Sequence, residues 1–207
     1  MNKTVSALIF ALSAALGAAT AWSDDAGQAA YATCVACHGD KAQGIQAMNA
    51  PALAHLEPVY IVAQLQKFRS GQRGAAGDTP YAMQMAPMAA ILPDDAAVTA
   101  VAQYIAAFEP QAREATVEGD ATLGGDYYNQ FCGACHGPNA EGNKALNSPR
   151  LAGTDDWYLL RQLEAFRNGV RGTHADDRTG RQMRAMAAVL PNDQALKDVV
   201  AFIQSIQ

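Results

Sequence analysis

The chain has 207 residues, of which 50% are hydrophobic and only 7% are aromatic, and its formal net charge is −5. This length allows one or two domains of ordinary size. The acidic balance argues against a nucleic-acid-binding protein, which needs a basic surface for the phosphates, and it favours a partner with a basic docking face.

Residues 1–23 have the pattern of a secretory signal peptide. A positive charge at Lys3 precedes an apolar run from Val5 to Ala19, and small residues follow at Ala21 and Ser23. A retained membrane anchor is the alternative, but a run of about 15 apolar residues is shorter than the roughly 20 that span a bilayer. We therefore expect cleavage after Ser23, or failing that after Ala21, and export to the periplasm without a stable membrane anchor.

The remainder of the chain repeats itself at an offset of 98 residues. The motif Cys-Val-Ala-Cys-His-Gly at 34–39 returns as Cys-Gly-Ala-Cys-His-Gly at 132–137. When residues 26–109 are laid on residues 124–207 without a gap, 33 of the 84 pairs are identical. The sequence therefore predicts a duplicated domain.

We expect the first domain to occupy residues 24–109 and the second to occupy residues 124–207. Residues 110–123 contain Pro110, Gly119 and several charged side chains, which is typical of a surface linker.

Each copy is expected to be all-α, with about three helices. Apolar residues recur at helical spacing, for example at Ile61, Leu65 and Phe68, and no segment has the period-two pattern of a strand. The predicted helices are 25–36, 58–71 and a helix after Pro93 in the first copy, with equivalents at 123–134, before Gly169 and after Pro191 in the second. Irregular stretches at 38–56 and 70–92 are long for so small a domain, and they predict a large group around which the chain wraps.

The repeated Cys-x-x-Cys-His motif is the attachment signal for c-type haem. Two thiols would form thioether bonds to the haem, and the following histidine would bind its iron. The cysteines concerned are Cys34, Cys37, Cys132 and Cys135, and the histidines are His38 and His136. A zinc site and a thiol–disulfide site are the alternatives, but zinc does not explain a histidine after each pair, and a redox dithiol needs a βαβ context. Covalent haem also accounts for the low aromatic content and the long loops.

The second axial ligand decides what the iron can do. His55 pairs with Gly153 across the repeat and His174 pairs with Ala76, so neither is expected to be a ligand, and both are interpreted as surface or loop residues. Two methionine pairs remain. Met88 and Met186 lie in apolar runs and are interpreted as core residues, whereas Met85 and Met183 stand in the preceding loop and are favoured as ligands.

The whole mature chain resembles the cytochrome c4 family of dihaem c-type cytochromes. The resemblance is carried by both Cys-x-x-Cys-His-Gly motifs, Pro-x-Leu-Ala at 51–54 and 149–152, Gln-Leu-x-x-Phe-Arg-x-Gly-x-Arg at 64–73 and 162–171, and Met-x-x-Met-Ala-Ala before the last helix of each copy. One departure is Leu-Pro before that helix, where such proteins often have Leu-Ser.

The resemblance implies two tandem class I cytochrome c-like domains, each wrapped around one covalent haem. It supports Met85 and Met183 as axial ligands. It also implies that the Pro51 and Pro149 carbonyls accept the Nδ1–H of the haem-binding histidines, and that Arg73 and Arg171 pair with haem propionates, although a surface role for these arginines remains open.

Histidine and methionine together would close both axial positions, which predicts an electron carrier and no enzyme. The resemblance suggests redox partners such as a bc1-type complex, a periplasmic dehydrogenase or a membrane terminal oxidase. A fixed electron-transfer subunit of a larger oxidoreductase is the first alternative. A dihaem peroxidase or dehydrogenase is the second, but it would need an open haem and usually two unlike sites.

Overall fold

The computed structural model describes residues 25–206, which include both copies of the repeat, so the predicted signal peptide at 1–23 lies outside the described residues. The first copy forms helices α1 (25–31), α2 (Val35–His38), α3 (Pro58–Arg69), α4 (Pro80–Ala90) and α5 (Asp95–Ala106). The second copy forms α6 (Ala121–Phe131), α7 (Gly133–His136), α8 (Asp156–Arg167), α9 (Arg178–Ala187) and α10 (Asp193–Ser205). The prediction of an all-α fold is confirmed, and over the described residues extended structure is limited to two isolated bridges.

The structure contains more helices than the sequence pattern predicts. α4 and α9 form in stretches that the sequence pattern predicts to be irregular, and both are stabilised at their first turn by a side chain. The Thr79 hydroxyl accepts a hydrogen bond from the amide of Ala82, and the Asp177 carboxylate accepts one from the amide of Gly180. In addition, the predicted first helix of each copy is interrupted at the cysteine motif.

The first and last helices of each copy cross at close range. A Cβ atom built on Gly124 of α6 would lie 1.8 Å from the carbonyl oxygen of Asp198 in α10, so only glycine permits this approach. In the first copy Gly27 of α1 makes a similar approach, since a Cβ atom built there would lie 2.7 Å from the carbonyl oxygen of Ala100 and from Cβ of Tyr104 in α5. These crossings close one side of each core, and α3 or α8 packs on the other.

Each copy has its own apolar core. The first core includes Ile61, Leu65 and Phe68 from α3, with Val98, Val101 and Ile105 from α5. The second includes Leu159 from α8, with Leu196, Val199 and Ile203 from α10. The predicted helical stripes therefore do face the interior.

The segment between the copies is held in place by hydrogen bonds to both copies. The buried carboxylate of Asp156 accepts hydrogen bonds from the amides of Thr116 and Val117, and from the Thr116 hydroxyl at 2.8 Å. Arg113 donates to the Gln43 carbonyl at 2.7 Å. Because α6 already begins at Ala121, the end of the predicted linker is helical.

Within residues 25–206, no single helix has both the length and the apolar character needed to cross a membrane. α4 and α5 meet that test only as a pair, and they are bent by 116° at the break between them.

Candidate haem-binding sites

Each cysteine motif folds into a short helical turn that ends at its histidine. The amide of His38 donates to the Cys34 carbonyl at 2.8 Å, and that of His136 donates to the Cys132 carbonyl at 2.9 Å. The glycine that follows each histidine has a positive φ, +81° at Gly39 and +82° at the equivalent position in the second motif. Glycine adopts this positive-φ backbone without strain, which lets the chain turn away directly after the histidine.

The four motif cysteines are all free thiols in the structure. Burial is the main cause that raises the pKa of Cys34 and of Cys132 above the usual thiol range. A thiol–disulfide oxidoreductase needs the opposite shift, because its nucleophile is the thiolate. The electrostatics of these thiols therefore disfavour the redox-dithiol alternative.

Both motif histidines are buried and point Nδ1 at a proline carbonyl. The distance from Nδ1 to oxygen is 2.8 Å for His38 and Pro51, and 2.9 Å for His136 and Pro149. A carbonyl oxygen only accepts, so each Nδ1 must carry the proton and Nε2 keeps its lone pair. Burial also lowers the pKa of both histidines, which favours the neutral, ligating form. The local structure thus prepares each Nε2 to bind a metal ion.

A short bridged loop places each proline behind its histidine. Ile45 and Ala50 form an isolated antiparallel bridge, as do Asn143 and Ser148 in the second copy. The turn inside each bridge ends at an asparagine in the left-handed region, with φ of 55° at Asn49. The proline follows directly after the bridge, so the backbone hydrogen bonds of the bridge hold this part of the loop beside the histidine.

The methionines differ in exposure between the two candidate positions. Met85 and Met183 are half-buried in α4 and α9, and Met85 packs against the first core together with Cys34. Met88 and Met186 are 40% and 37% exposed. The interpretation of Met88 and Met186 as core residues is therefore wrong, since both side chains are exposed.

Arg73 and Arg171 are buried where the two copies meet. Arg73 donates to Oε1 of Gln64 at 2.9 Å, to the Tyr158 hydroxyl at 3.0 Å and to Oε1 of Gln162 at 3.2 Å. Arg171 donates to Oε1 of Gln162 at 2.6 Å and to Oε1 of Gln64 at 3.0 Å. Each arginine therefore bonds a glutamine of its own copy and the equivalent glutamine of the other.

This pair of guanidinium groups has no carboxylate partner among the described residues. Nε of Arg73 is buried without any hydrogen-bond partner. Burial acts to raise the pKa of Tyr158, but Arg73 and Arg171 outweigh it and lower that pKa. Buried charges are normally paired, so this cluster fits a group that brings its own anionic oxygens.

The residues present fit covalent haem. Free cysteines adjoin a histidine with a preformed Nε2 donor, a half-buried thioether is available in the same copy, and buried cations without a counter-ion suit propionates. Soft thioether and imidazole donors are those that haem iron takes in c-type cytochromes.

Several contacts between the copies were not apparent in the sequence. His55 is buried rather than on the surface, with Nε2 at 2.7 Å from the Thr154 hydroxyl. Lys67 Nζ lies 2.6 Å from the buried carboxylate of Asp177. His174 is exposed, as expected. No periodic pattern indicates such pairs, since their members are about a hundred residues apart.

Comparison with known proteins identifies the family. The Cytochrome c family model matches residues 25–108 and again residues 121–207. Cytochrome c4 of Azotobacter vinelandii is 32% identical over 219 residues, which cover 100% of this chain and 99% of that protein. The thiosulfate dehydrogenase electron acceptor of Stutzerimonas stutzeri (strain A1501) is 37% identical over 163 residues, which cover 74% of this chain and 72% of that protein.

A solved structure agrees with this assignment. The crystal structure of reduced recombinant cytochrome c4 from Pseudomonas stutzeri matches with a TM-score of 0.65 and 28% identity, over 87% of this chain and 97% of that one. The chain therefore belongs to the cytochrome c4 family of dihaem electron-transfer cytochromes and carries two covalently bound haem c groups.

Proposed function

We propose that the protein is a periplasmic carrier that passes single electrons through two haems of the same ligation, His38 with Met85 and His136 with Met183. The observation that carries this proposal is the equivalence of the two sites. Both copies hold a buried histidine against a proline carbonyl. Both also place a half-buried methionine at the equivalent position of equivalent helices, Met85 in α4 and Met183 in α9.

The bound haem supplies a one-electron change between Fe(II) and Fe(III). The protein's own residues control how that change occurs. The Pro51 and Pro149 carbonyls fix the orientation and tautomer of the histidines, which also makes them better donors. The methionine sulfurs would fill the remaining axial positions and exclude substrate, and their weak donation favours a high potential.

Arg73 and Arg171 would bind haem propionates at the contact between the domains. Each guanidinium also stacks on a phenylalanine, at 4.5 Å from the Phe68 ring centre and 4.4 Å from that of Phe166. Their shared hydrogen bonds to Gln64 and Gln162 would keep the two propionate-binding groups in a fixed relation. The carrier would thus hold two haems in one rigid arrangement.

We further propose that the donor is a bc1-type complex or a periplasmic dehydrogenase and that the acceptor is a terminal oxidase or reductase. The similarity to a thiosulfate dehydrogenase electron acceptor supports a dehydrogenase as donor. It equally supports a fixed subunit of such an enzyme. Co-purification with a partner at moderate salt would favour the fixed subunit, whereas a lone monomer would favour the mobile carrier.

Carbon monoxide binding tests the proposed function. Purified holoprotein is examined by visible spectroscopy in the oxidised form, in the reduced form, and in the reduced form with carbon monoxide. Two closed haems should show a far-red Met–Fe(III) band and no spectral change with carbon monoxide. Binding of carbon monoxide at either haem would contradict the carrier and favour an enzyme with an open iron.

A further inference from the structure

α4 and α9 are equivalent helices that carry the two proposed axial methionines, yet their outer surfaces differ in charge. α9 contains Arg178, Arg181 and Arg184, and all three side chains are exposed. α4 contains no charged residue at all. At the equivalent positions it has Pro80, Met83 and Ala86.

The three arginines are not neutralised by the protein. Within residues 25–206, none of them forms an ion pair with a carboxylate. Asp177, at the start of the helix, is 3% exposed and is already paired with Lys67. Asp176 is the exposed acid beside it, so the surface keeps a net positive charge on a chain whose overall charge is −5.

Exposed apolar side chains adjoin these cations. Met186 is 37% exposed, and Val189, just beyond the helix, is 46% exposed. Uncompensated charge beside apolar surface suits a transient protein contact, because the charges orient the encounter and the apolar residues are desolvated once it forms. We call Arg178, Arg181, Arg184, Met186 and Val189 the α9 face.

We propose that the α9 face is the docking site for an acidic redox protein, which exchanges electrons with the haem of the second domain. The inference rests on the proposed function, because Met183 on the same helix is what links this face to the second haem. In the exchange the reduced partner loses one electron and the ferric haem gains it, and no bond is made or broken.

The charge of the α9 face affects which of the two haems a redox partner approaches. The acidic chain as a whole favours a basic partner, whereas the α9 face attracts an acidic one. Because the equivalent helix of the first domain carries no charge, an acidic partner would be drawn to the second haem rather than to the first. Electrostatic complementarity mainly governs encounter rates and orientation, so the test is a rate.

The experiment measures reduction of the oxidised holoprotein by flavodoxin hydroquinone, a strongly acidic one-electron donor, in a stopped-flow instrument. The triple variant Arg178→Gln, Arg181→Gln, Arg184→Gln should react about tenfold more slowly than the unaltered protein at low salt, and this difference should disappear at roughly 0.5 M salt, where charges are screened within a few ångströms. Glutamine retains helix propensity, and an unchanged visible spectrum verifies the fold.

Lys41→Gln is the control for single charges, because it removes one exposed cation from the first domain. Arg181→Gln alone should slow the reaction about two- to threefold, whereas Lys41→Gln should have little effect. The proposal is overturned if the triple variant reacts as fast as the unaltered protein, or if Lys41→Gln slows the reaction as much as Arg181→Gln. Failure of the proposed function would appear separately, as absence of the Met–Fe(III) band from the second haem.

Discussion

The two halves of the molecule share the parts that hold the haem and differ in the parts that surround it. The Nδ1-to-carbonyl distances at His38 and His136 are 2.8 Å and 2.9 Å. The helices that carry Met85 and Met183, by contrast, differ by three exposed arginines. The duplication thus repeats the residues that hold the haem, whereas each domain presents a different outer surface.

The contact between the halves is also only partly symmetric. The arginine–glutamine cluster is symmetric, because each arginine bonds both glutamines. The ion pair between Lys67 and Asp177 has no counterpart, because the equivalent residues are Ala165 and Thr79. The start of α9 is therefore tied to the first domain by a buried charge pair. α4 is tied to the second domain by a weaker contact, in which Arg161 stacks on Tyr81 at 4.2 Å.

A third difference concerns the helix before each motif. The Tyr31 hydroxyl donates to the Gly39 carbonyl at 2.7 Å, and the Tyr128 hydroxyl donates to the Gly137 carbonyl at 2.7 Å. Tyr31 and Tyr128 are nevertheless 97 residues apart, one fewer than the repeat offset. The two tyrosines therefore make the same hydrogen bond from positions that differ by one residue within the repeat. The helices before the motifs also differ, since α6 continues to the motif whereas α1 ends three residues before it.

Loss of a proposed axial methionine should have the largest effect. Met85→Ala or Met183→Ala should lower the midpoint potential of its own haem by on the order of 100 mV, within the roughly 0.8 V over which axial ligands act, and should leave the other haem unchanged. Redox titration followed by visible spectroscopy measures both. Met88→Ala and Met186→Ala, at exposed positions, serve as controls. If Met88→Ala loses the Met–Fe(III) band and Met85→Ala keeps it, the ligand assignment is wrong.

Removal of Lys67 tests the asymmetric ion pair. Lys67→Met should lower the free energy of unfolding by about 3 kcal/mol, because it leaves the Asp177 carboxylate buried without its cation. Denaturant unfolding of the holoprotein gives this value. Arg69→Met is the control, since Arg69 pairs with an Asp95 side chain that is 78% exposed, and exposed pairs contribute about 0–1 kcal/mol. Equal losses in the two variants would show that the Lys67 pair is no more than a surface contact.

The buried arginines should tune both haems in the same direction. Arg73→Gln and Arg171→Gln each remove a buried positive charge, which favours Fe(III) and should lower the nearer haem's potential by on the order of 50 mV. Arg69→Gln, which removes a partly exposed arginine outside the cluster, should cause a smaller shift. Potentials that stay unchanged in both buried variants would exclude a role for this cluster in propionate binding.

Acidification should weaken the domain contact through His55. Burial, followed by Arg113 and Arg150, lowers the pKa of His55 from 6.5 to about 3. Between these two values the unfolded chain binds a proton that the folded protein does not, so stability is complete above pH 6.5 and falls as the pH is lowered, by at most about 1.4 kcal/mol per pH unit.

His55→Gln should therefore flatten the dependence of unfolding free energy on pH between about 6.5 and 4.5, above the range in which most carboxylates titrate. His174→Gln, at an exposed histidine, is the control and should leave the slope unaltered. A slope that is the same in the unaltered protein and in His55→Gln would rule out this role.

The all-α fold and its duplication were predictable because they depend on local patterns. Cys-x-x-Cys-His carries its own chemistry, and the spacing of Ile61, Leu65 and Phe68 marks a helix whose apolar side is buried. α4 and α9 were missed for physical reasons. α4 contains an internal proline at Pro87, and α9 has few apolar residues and shows its helical period mainly in its arginines, so a search for apolar periodicity misses both helices.

The contacts between the domains could not be predicted, since they join positions that no local pattern relates. His55 is interpreted from the sequence as a surface or loop residue because its repeat partner is Gly153. It does lie in a turn, but the structure buries it against Thr154, the residue after that glycine. Comparison of the two copies detects residues that serve both domains equally. It does not detect residues such as Lys67, which serve the contact between them.

We propose that both haems have the same closed ligation despite their different surroundings. Potentiometric titration of the holoprotein, with the far-red Met–Fe(III) band measured per haem, tests it most directly. We predict two one-electron steps per chain, with half of the band disappearing in each. A band that disappears entirely in one step, while the other haem is reduced without any change in it, would show that one iron lacks methionine.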